Sequence, residues 1–271
     1  MPKIRRTKFM SDLVKYELCD RVATLTLNRP EEGNAWSEDM EQALRNLVLK
    51  ADQGPNVRSI VITGAGRAFC VGRSMQGLSF GAGKETGTRE DIEAHRDRFS
   101  YLTTLRKPVI AAINGGMAGV GFVLSLYCDL RFMSDKANFA TSFARRGLVA
   151  EEGSAWLLPR LIGQMNAMDI LLSGRKVSAV EAGNMGLVRV VPAGDFAETV
   201  QSFAADLANA SSPRSMGIIK QQVWSAHKKT LSEVTRASSA LVQASVVHQD
   251  FAEGVAHFKE RRMPQFADLE D

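Results

Sequence analysis

Along the first two-thirds of the chain, short apolar or alternating runs are separated by stretches of helical spacing. "RVATLTLN" (21–28) alternates apolar and polar positions, the period of a half-buried strand. Ser37 can cap a helix with Glu38 and Asp39 in its first turn, and that helix runs to about Gln53. "VRSIVITG" (57–64) predicts a second strand and "PVIAAIN" (108–114) a buried one. Between them, 64–87 is irregular and rich in glycine, as a loop over a site would be. "TREDIEAHRDRFSYLTTL" (88–105) predicts an amphipathic helix with a charged face. "CDLRFMSD" and "ANFATSF" add short strand material. From about residue 151 helical patterns dominate, with Pro213 in the first turn of a helix over 213–227. Only "LVRVVP" (187–192) reads as strand there. The fold class is α/β, bordering on α+β: a strand–helix core over 12–200 and a helical C-terminal segment over 201–271.

Composition changes this picture little. The 271 residues are 45% hydrophobic and 24% charged, ordinary for a globular protein. The net charge of +4 is modest, and part of it lies in "MPKIRRTK", within a basic N-terminal tail assigned to 1–11. That run lacks the apolar stretch and cleavage site of a signal peptide. No apolar window approaches the length of a membrane span, about 18 residues, and no basic stripe with interleaved aromatics marks a nucleic-acid surface. Cys19, Cys70 and Cys128 form no Cys-x-x-Cys pair, and His95, His227, His248 and His257 show no ligand spacing. Neither a disulfide framework nor a metal site is expected, and a reducing, cytoplasmic compartment fits.

The stretch that calls for chemistry is "GGMAGVGFVLSLYCD" (115–129), which follows the strand at 108–114. A dinucleotide fingerprint would need a glycine at 124, where Leu124 stands. A phosphate loop would need a Lys-Ser/Thr pair, and no Gly-x-Ser-x-Gly elbow exists. The remaining reading is an oxyanion site, because first-turn N–H groups lack intrahelical acceptors and glycines allow close approach.

Several segments, in order, resemble the crotonase family, the enoyl-CoA hydratase/isomerase group. These are "LTLNRPEEGNAWSEDM", "IVITGAGRAFCVGRSMQGL", "KPVIAAINGGMAGVGFVLSLYCDLRFMSDKANF", "GLVAEEGSAWLLPRLIG", "AGNMGLVRVVP" and "FAEGVAHFKERRMPQF", spanning roughly 12 to 266. The resemblance implies a spiral of strand–strand–helix units with a helical C-terminal oligomerisation segment, assembled as a homotrimer or dimer of trimers. It implies an acyl-CoA thioester as substrate, with coenzyme A entering as part of that substrate and no separate cofactor. Its two oxyanion-hole amides carry over to Arg73 and Val120; Arg73 replaces a usually small or apolar residue, and Ser74 stands where Asp is common.

The two glutamates of the family's hydratases would fall at Val123 and Phe143, and neither side chain can move a proton. The single-acid isomerases of the group place their carboxylate in the block matched by "GLVAEEGSAWLLPR" (147–160), at Glu151, with Glu152 beside it. A double-bond shift needs one base over two carbons. An apolar pocket of Val123, Phe143 and Trp156 would raise its pKa by desolvation. The expected function is therefore enoyl-CoA isomerisation by Glu151. The alternatives are a hydratase using Glu151 or Glu152, and a non-catalytic acyl-CoA-binding homologue. Arg29 and Arg261 are candidates for the CoA phosphates, and His95 for the acyl pocket. Trp36 and Trp156 are expected to pack rather than stack on substrate, and Asp129 to satisfy backbone donors.

Overall fold

The computed structural model describes residues 7–10, 12–73 and 98–269. Ser74, His95, the rest of the 64–87 loop beyond residue 73 and the start of the helix read at 88 lie outside the described residues.

The chain opens with β1 (Thr7–Met10), β2 (Val14–Cys19) and β3 (Val22–Leu27), an antiparallel meander. Asp20 and Arg21, both at positive φ (50° and 64°), form the two-residue turn between β2 and β3, the geometry that matches strand twist. Residues 7–10 were assigned to a tail, and here they are an edge strand on β2. Helix α1 (Glu38–Gln53) begins where Ser37 accepts from the Met40 N–H at 3.2 Å and buries Met40, Leu44, Val48 and Ala51 on one stripe.

Next come β4 (Ser59–Gly64), β5 (Ala68–Cys70), β6 (Val109–Ile113), β7 (Gly116–Ala118), α2 (Val120–Leu126), β8 (Leu130–Ser134) and β9 (Asn138–Ala140). Then follow α3 (Ser154–Ile162), α4 (Gln164–Ser173), β10 (Lys176–Ser178), α5 (Ala179–Asn184) and β11 (Arg189–Val191). The C-terminal helices are α6 (Phe196–Ala210), α7 (Pro213–Ala226), α8 (Leu231–Val246) and α9 (Gln249–Glu260). The described part of the segment expected to be helical over 88–105 is instead a turn and a 3-10 stretch, Ser100–Thr104. Its Thr103 and Thr104 hydroxyls donate to the carbonyls three residues back, at 2.7 and 2.9 Å, which competes with α-helical pairing.

Among the described residues the strands form two sheets. The larger runs β1-β2-β3-β4-β6-β8-β11, parallel from β3 onward, and the smaller runs β10-β9-β7-β5. β6 is buried at all five positions, as a parallel strand covered on both faces must be. Its alternate residues split between two cores. Val109, Ala111 and Ile113 face the main core with α1 and α2. Ile110 and Ala112 face Phe196, Val200 and Ala204 of α6.

Asp129 accepts from the Val109 N–H at 2.7 Å, as expected of a backbone-satisfying acid. It also binds Lys220 (2.8 Å) and the Trp224 indole (2.8 Å), which docks α7 on the core. Both sheets send strand ends and glycine loops to one place, where β5 stops and α2 starts.

Candidate active site

Two glycines aim the backbone there. Gly72 (φ 94°) precedes Arg73, and Gly119 (φ 49°, ψ −118°) precedes Val120. Both conformations are open to glycine and strained for other residues. The Trp36 N–H donates to the Gly72 carbonyl at 2.8 Å in a parallel bridge between Trp36 and Arg73. The Arg73 N–H therefore points away from Trp36, because neighbouring strand residues present their polar groups to opposite sides. The Val120 N–H stands at the first helical position, where no intrahelical acceptor exists.

Tight packing fixes the spacing of these two amides. A Cβ at Gly121 would lie 2.4 Å from the Cys70 carbonyl oxygen, so α2 sits directly against the end of β5. Asn34, fully buried, donates to the Ala65 and Ala68 carbonyls at 2.9 and 2.8 Å and accepts from the Arg29 N–H. Asn114 accepts from the Gly64 N–H at 3.1 Å. Through these bonds the asparagines of "RPEEGNAW" and "AAINGG" brace the strand ends from which the glycine loops spring.

Arg73, Val120, Phe143, Glu151 and Glu152 line one cavity of about 480 Å³. The half-buried Glu151 carboxylate makes no hydrogen bond or ion pair among the described residues. Burial raises its pKa above the ordinary glutamate value; Arg73 opposes this most, Glu152 adds to it, and Arg98 and Arg146 oppose it. An unpaired carboxylate of raised basicity is the state a proton-transfer base needs.

Glu152 is held differently. Its φ of 48° is a left-handed turn, and its carbonyl accepts from the Tyr127 hydroxyl at 2.7 Å. Its carboxylate is 3.5 Å from Nη1 of Arg98, whose side chain is only 3% exposed. Arg98 is anchored in turn on Glu41 (Nε to Oε2, 2.6 Å), which also takes the Trp36 indole N–H at 2.8 Å. Trp36 is thus buried and edge-on to Phe99 at 5.6 Å, a packing residue. The chain of contacts turns one glutamate into a strut and leaves its neighbour free.

Phe143 is buried at the cavity wall. Val123 is fully buried one turn further into α2, in the core behind the wall. Trp156 does not join them. α3 starts at Ser154, and two further residues carry the side chain to the far face of the helix. There the indole lies edge-on to His227 (5.2 Å) with the Arg160 guanidinium 3.8 Å above it. It lines a separate cleft of about 550 Å³ against α7. Arg29 and Arg261 are not on the cavity wall. Arg29 pairs with Glu32, and Arg261 (φ 51°) caps α9. Cys70 and Cys128 are free, and burial pushes both thiols up to about 12. Among the described residues no cluster could hold a metal ion, and no helix is long and apolar enough to cross a membrane.

The family model described as enoyl-CoA hydratase/isomerase matches residues 17–269. The chain belongs to the enoyl-CoA hydratase/isomerase family. It is 34% identical over 251 residues to the 1,2-epoxyphenylacetyl-CoA isomerase of Escherichia coli K12, covering 90% of this chain and 94% of the relative. To the 4-chlorobenzoyl coenzyme A dehalogenase-1 of an Arthrobacter species it is 32% identical over 253 residues, with coverage of 92% and 91%. A solved enoyl-CoA hydratase from Bacillus anthracis superposes with a TM-score of 0.85 at 28% identity, covering 97% of this chain and 98% of that one. The crotonase resemblance read from the motifs therefore holds, and the chain is an enzyme of this group.

Isomerase, dehalogenase and hydratase share this one fold, so the reaction of this family member has to be read from its own side chains. Residues at or beside the cavity that escaped the sequence reading include Arg98, Tyr127, Ser142 and Arg146. Arg146 carried a signal, being the second of two arginines before a glycine in "FARRG". Arg98 carried none, because its partners Glu41 and Glu152 are 57 and 54 residues away in sequence.

Proposed function

We propose that this enzyme shifts the double bond of an enoyl-CoA thioester, with Glu151 as its single base. The thioester oxygen takes the Arg73 and Val120 N–H groups as its oxyanion hole. Glu151 removes the α-proton of a 3-enoyl thioester, the pair of electrons moves into a dienolate, and the same carboxyl returns the proton to the γ-carbon. Each oxyanion donor of this kind is worth about 3–4 kcal/mol of barrier, and a placed general base about 10²- to 10⁴-fold in rate. Val120 and Phe143 wall the acyl group, with Val123 backing them. Coenzyme A arrives with the substrate, so no further cofactor takes part; Arg29 and Arg261 meet its phosphates. Assembly as a homotrimer or dimer of trimers is part of the same proposal, and α8, which buries none of its residues in the single chain, offers an uncovered surface for it.

The single observation that carries the reading is the Glu151 carboxylate of raised pKa, unpaired among the described residues, in the cavity that Arg73 and Val120 line. The test is hydrogen–deuterium exchange at the α- and γ-carbons of hex-3-enoyl-CoA in heavy water. Exchange in the wild type that disappears in Glu151→Gln, with binding retained, is the expected result. Equal exchange in both would overturn the assignment. A hydratase reading is favoured by Glu152 on the same wall, one residue from the base. It predicts a product one water heavier from hex-2-enoyl-CoA.

A further inference from the structure

Glu151 opens a tight turn. The Ser154 N–H donates to the Glu151 carbonyl at 2.9 Å, and the two residues between them, Glu152 and Gly153, have φ of 48° and 72°. Positive φ at both central positions is the type I′ pattern, which asparagine followed by glycine adopts at low cost. Glycine fills the second place here. Glutamate in the first is strained, because a left-handed residue brings its Cβ close to the following carbonyl oxygen. A strained residue persists only where its surroundings hold it.

Glu152 is held at two points. Arg98 reaches its carboxylate at 3.5 Å, and the Tyr127 hydroxyl donates to its main-chain carbonyl at 2.7 Å. Only the second contact acts on the backbone of the turn. The same hydroxyl lies against Gly153, where an added Cβ would stand 2.8 Å from it. The Tyr127 ring is set against Phe99, with centroids 6.1 Å apart. Tyr127 does not line the cavity, so its effect on the reaction runs through the turn. Its place in the chain matters as well, because Tyr127 caps the C-terminal end of α2, and α2 starts at Val120. Seven residues of helix span about 10 Å. One short helix thus presents the Val120 amide at its start and grips the turn of Glu151 at its end.

We propose that Tyr127 is a positioning residue: its hydroxyl keeps the Glu151–Ser154 turn left-handed and so holds the Glu151 carboxylate in register with the Val120 amide. This rests on the reading of Glu151 as the base. Without the hydroxyl, the strained turn is free to relax and the carboxylate leaves its place in the cavity. The thioester still binds, and the proton transfer slows because the base is misplaced.

Tyr127→Phe tests this, since it keeps the ring and alters no charge. Exchange is followed on hex-3-enoyl-CoA and binding of hexanoyl-CoA by calorimetry. The titration of Glu151 is read by NMR of carboxyl-labelled glutamate, with the signal assigned by its loss in Glu151→Gln. The expected result is exchange slowed roughly 10-fold at unchanged Kd. Glu151 should also titrate closer to the ordinary glutamate value, because Arg73, Glu152, Arg98 and Arg146 all remain and burial, which raises its pKa, is what decreases. In a Glu152→Asn background the first turn residue takes positive φ unaided. Removing the hydroxyl should therefore cost less than about 2-fold there, a coupling that a merely structural role would not produce.

Wild-type exchange and an unmoved Glu151 titration in Tyr127→Phe overturn the proposal, whatever happens to the thermal midpoint. So does an equal cost in both backgrounds, since the hydroxyl then acts elsewhere than on the turn. Exchange that survives Glu151→Gln removes the base instead, and a Glu151 titration that still moves in Tyr127→Phe would leave the hold on the turn in place.

Discussion

Replacing Gly121 by alanine tests whether the spacing of the two amides sets the rate. The added Cβ would stand 2.4 Å from the Cys70 carbonyl oxygen and 2.7 Å from the Cys70 Cβ. Ordinary contact begins at 3.4 Å, so α2 and β5 must part by the difference, about 1.0 Å. The obstacle is main chain, fixed by the β5–β7 ladder, and it cannot swing aside as a long side chain would. Val120 rides on α2 and Arg73 follows β5, so the gap between their N–H groups opens by a similar distance. Catalytic donors have to be held to about 0.5 Å, and a misplacement of about 1 Å can lower a rate about 100-fold. The packing strain itself costs about 1–3 kcal/mol, within the roughly 5–15 kcal/mol that hold a domain folded. The assay pairs urea unfolding with exchange on hex-3-enoyl-CoA. Gly116→Ala is the control, because nothing lies within 4 Å of the Cβ it would add. The expected outcome is a folded Gly121→Ala variant of lowered stability and about 100-fold slower exchange, beside a Gly116→Ala variant close to wild type. A destabilised Gly121→Ala enzyme that exchanges at the wild-type rate would refute the spacing argument.

Three further predictions concern Glu151 and Ser154. Burial raises the pKa of Glu151 and Glu152 adds to it; the base works deprotonated, so kcat/KM should fall with acid at a pH above the ordinary glutamate range. Glu152→Gln should move that limb to lower pH and Arg73→Met to higher pH, and a limb that stays in place in both variants rules out Glu151 as the titrating group. The same raised pKa means that the folded state binds the extra proton, so stability declines as pH rises through the window between the ordinary and the raised value; Glu151→Gln should therefore unfold at higher urea than wild type at neutral pH. The Ser154 hydroxyl is fully buried without a hydrogen-bond partner among the described residues, a group whose burial typically costs about 1–3 kcal/mol. Ser154→Ala should raise the thermal midpoint, and a lower midpoint would mean that the hydroxyl is satisfied in solution.

How far the sequence carried depends on whether a residue's partner is local. The helix that Ser37 caps and the buried strand at 108–114 both rest on neighbours a few residues apart. Trp156 was placed by its position near Glu151, yet just over half a turn of α3 was enough to send it into another cleft. Residues 7–10 were read as tail because an edge strand of four residues leaves no periodic trace; only pairing with β2 defines it. β5 was hidden in the irregular 64–87 segment for the same reason, since three residues, Ala68–Cys70, carry no period. Arg98 lay beyond local reading altogether, because a buried arginine is tolerated only by carboxylates that the fold delivers from elsewhere.

That distinction also explains how the chemistry can change while the fold stays. On the proposed reading the oxyanion donors are main-chain groups, so Arg73 and Val120 would keep the role whatever their side chains are, provided that Gly72, Gly119 and Gly121 hold the turns and the close contact. The proposed proton-transfer group is a side chain and has no such protection: with Val123 and Phe143 where the resemblance places the hydratase acids, the work would pass to whichever carboxylate reaches the same cavity. Glu151 and Glu152 both reach it, adjacent in the chain. Arg98 and Tyr127 tie down the second, which gives it a partner and a fixed place, while the first keeps a carboxylate unshared among the described residues, in a partly desolvated setting. On this proposal a base is selected by what its neighbour is bound to, and breaking the Arg98–Glu152 contact should therefore blur the division of labour between the two glutamates rather than abolish it.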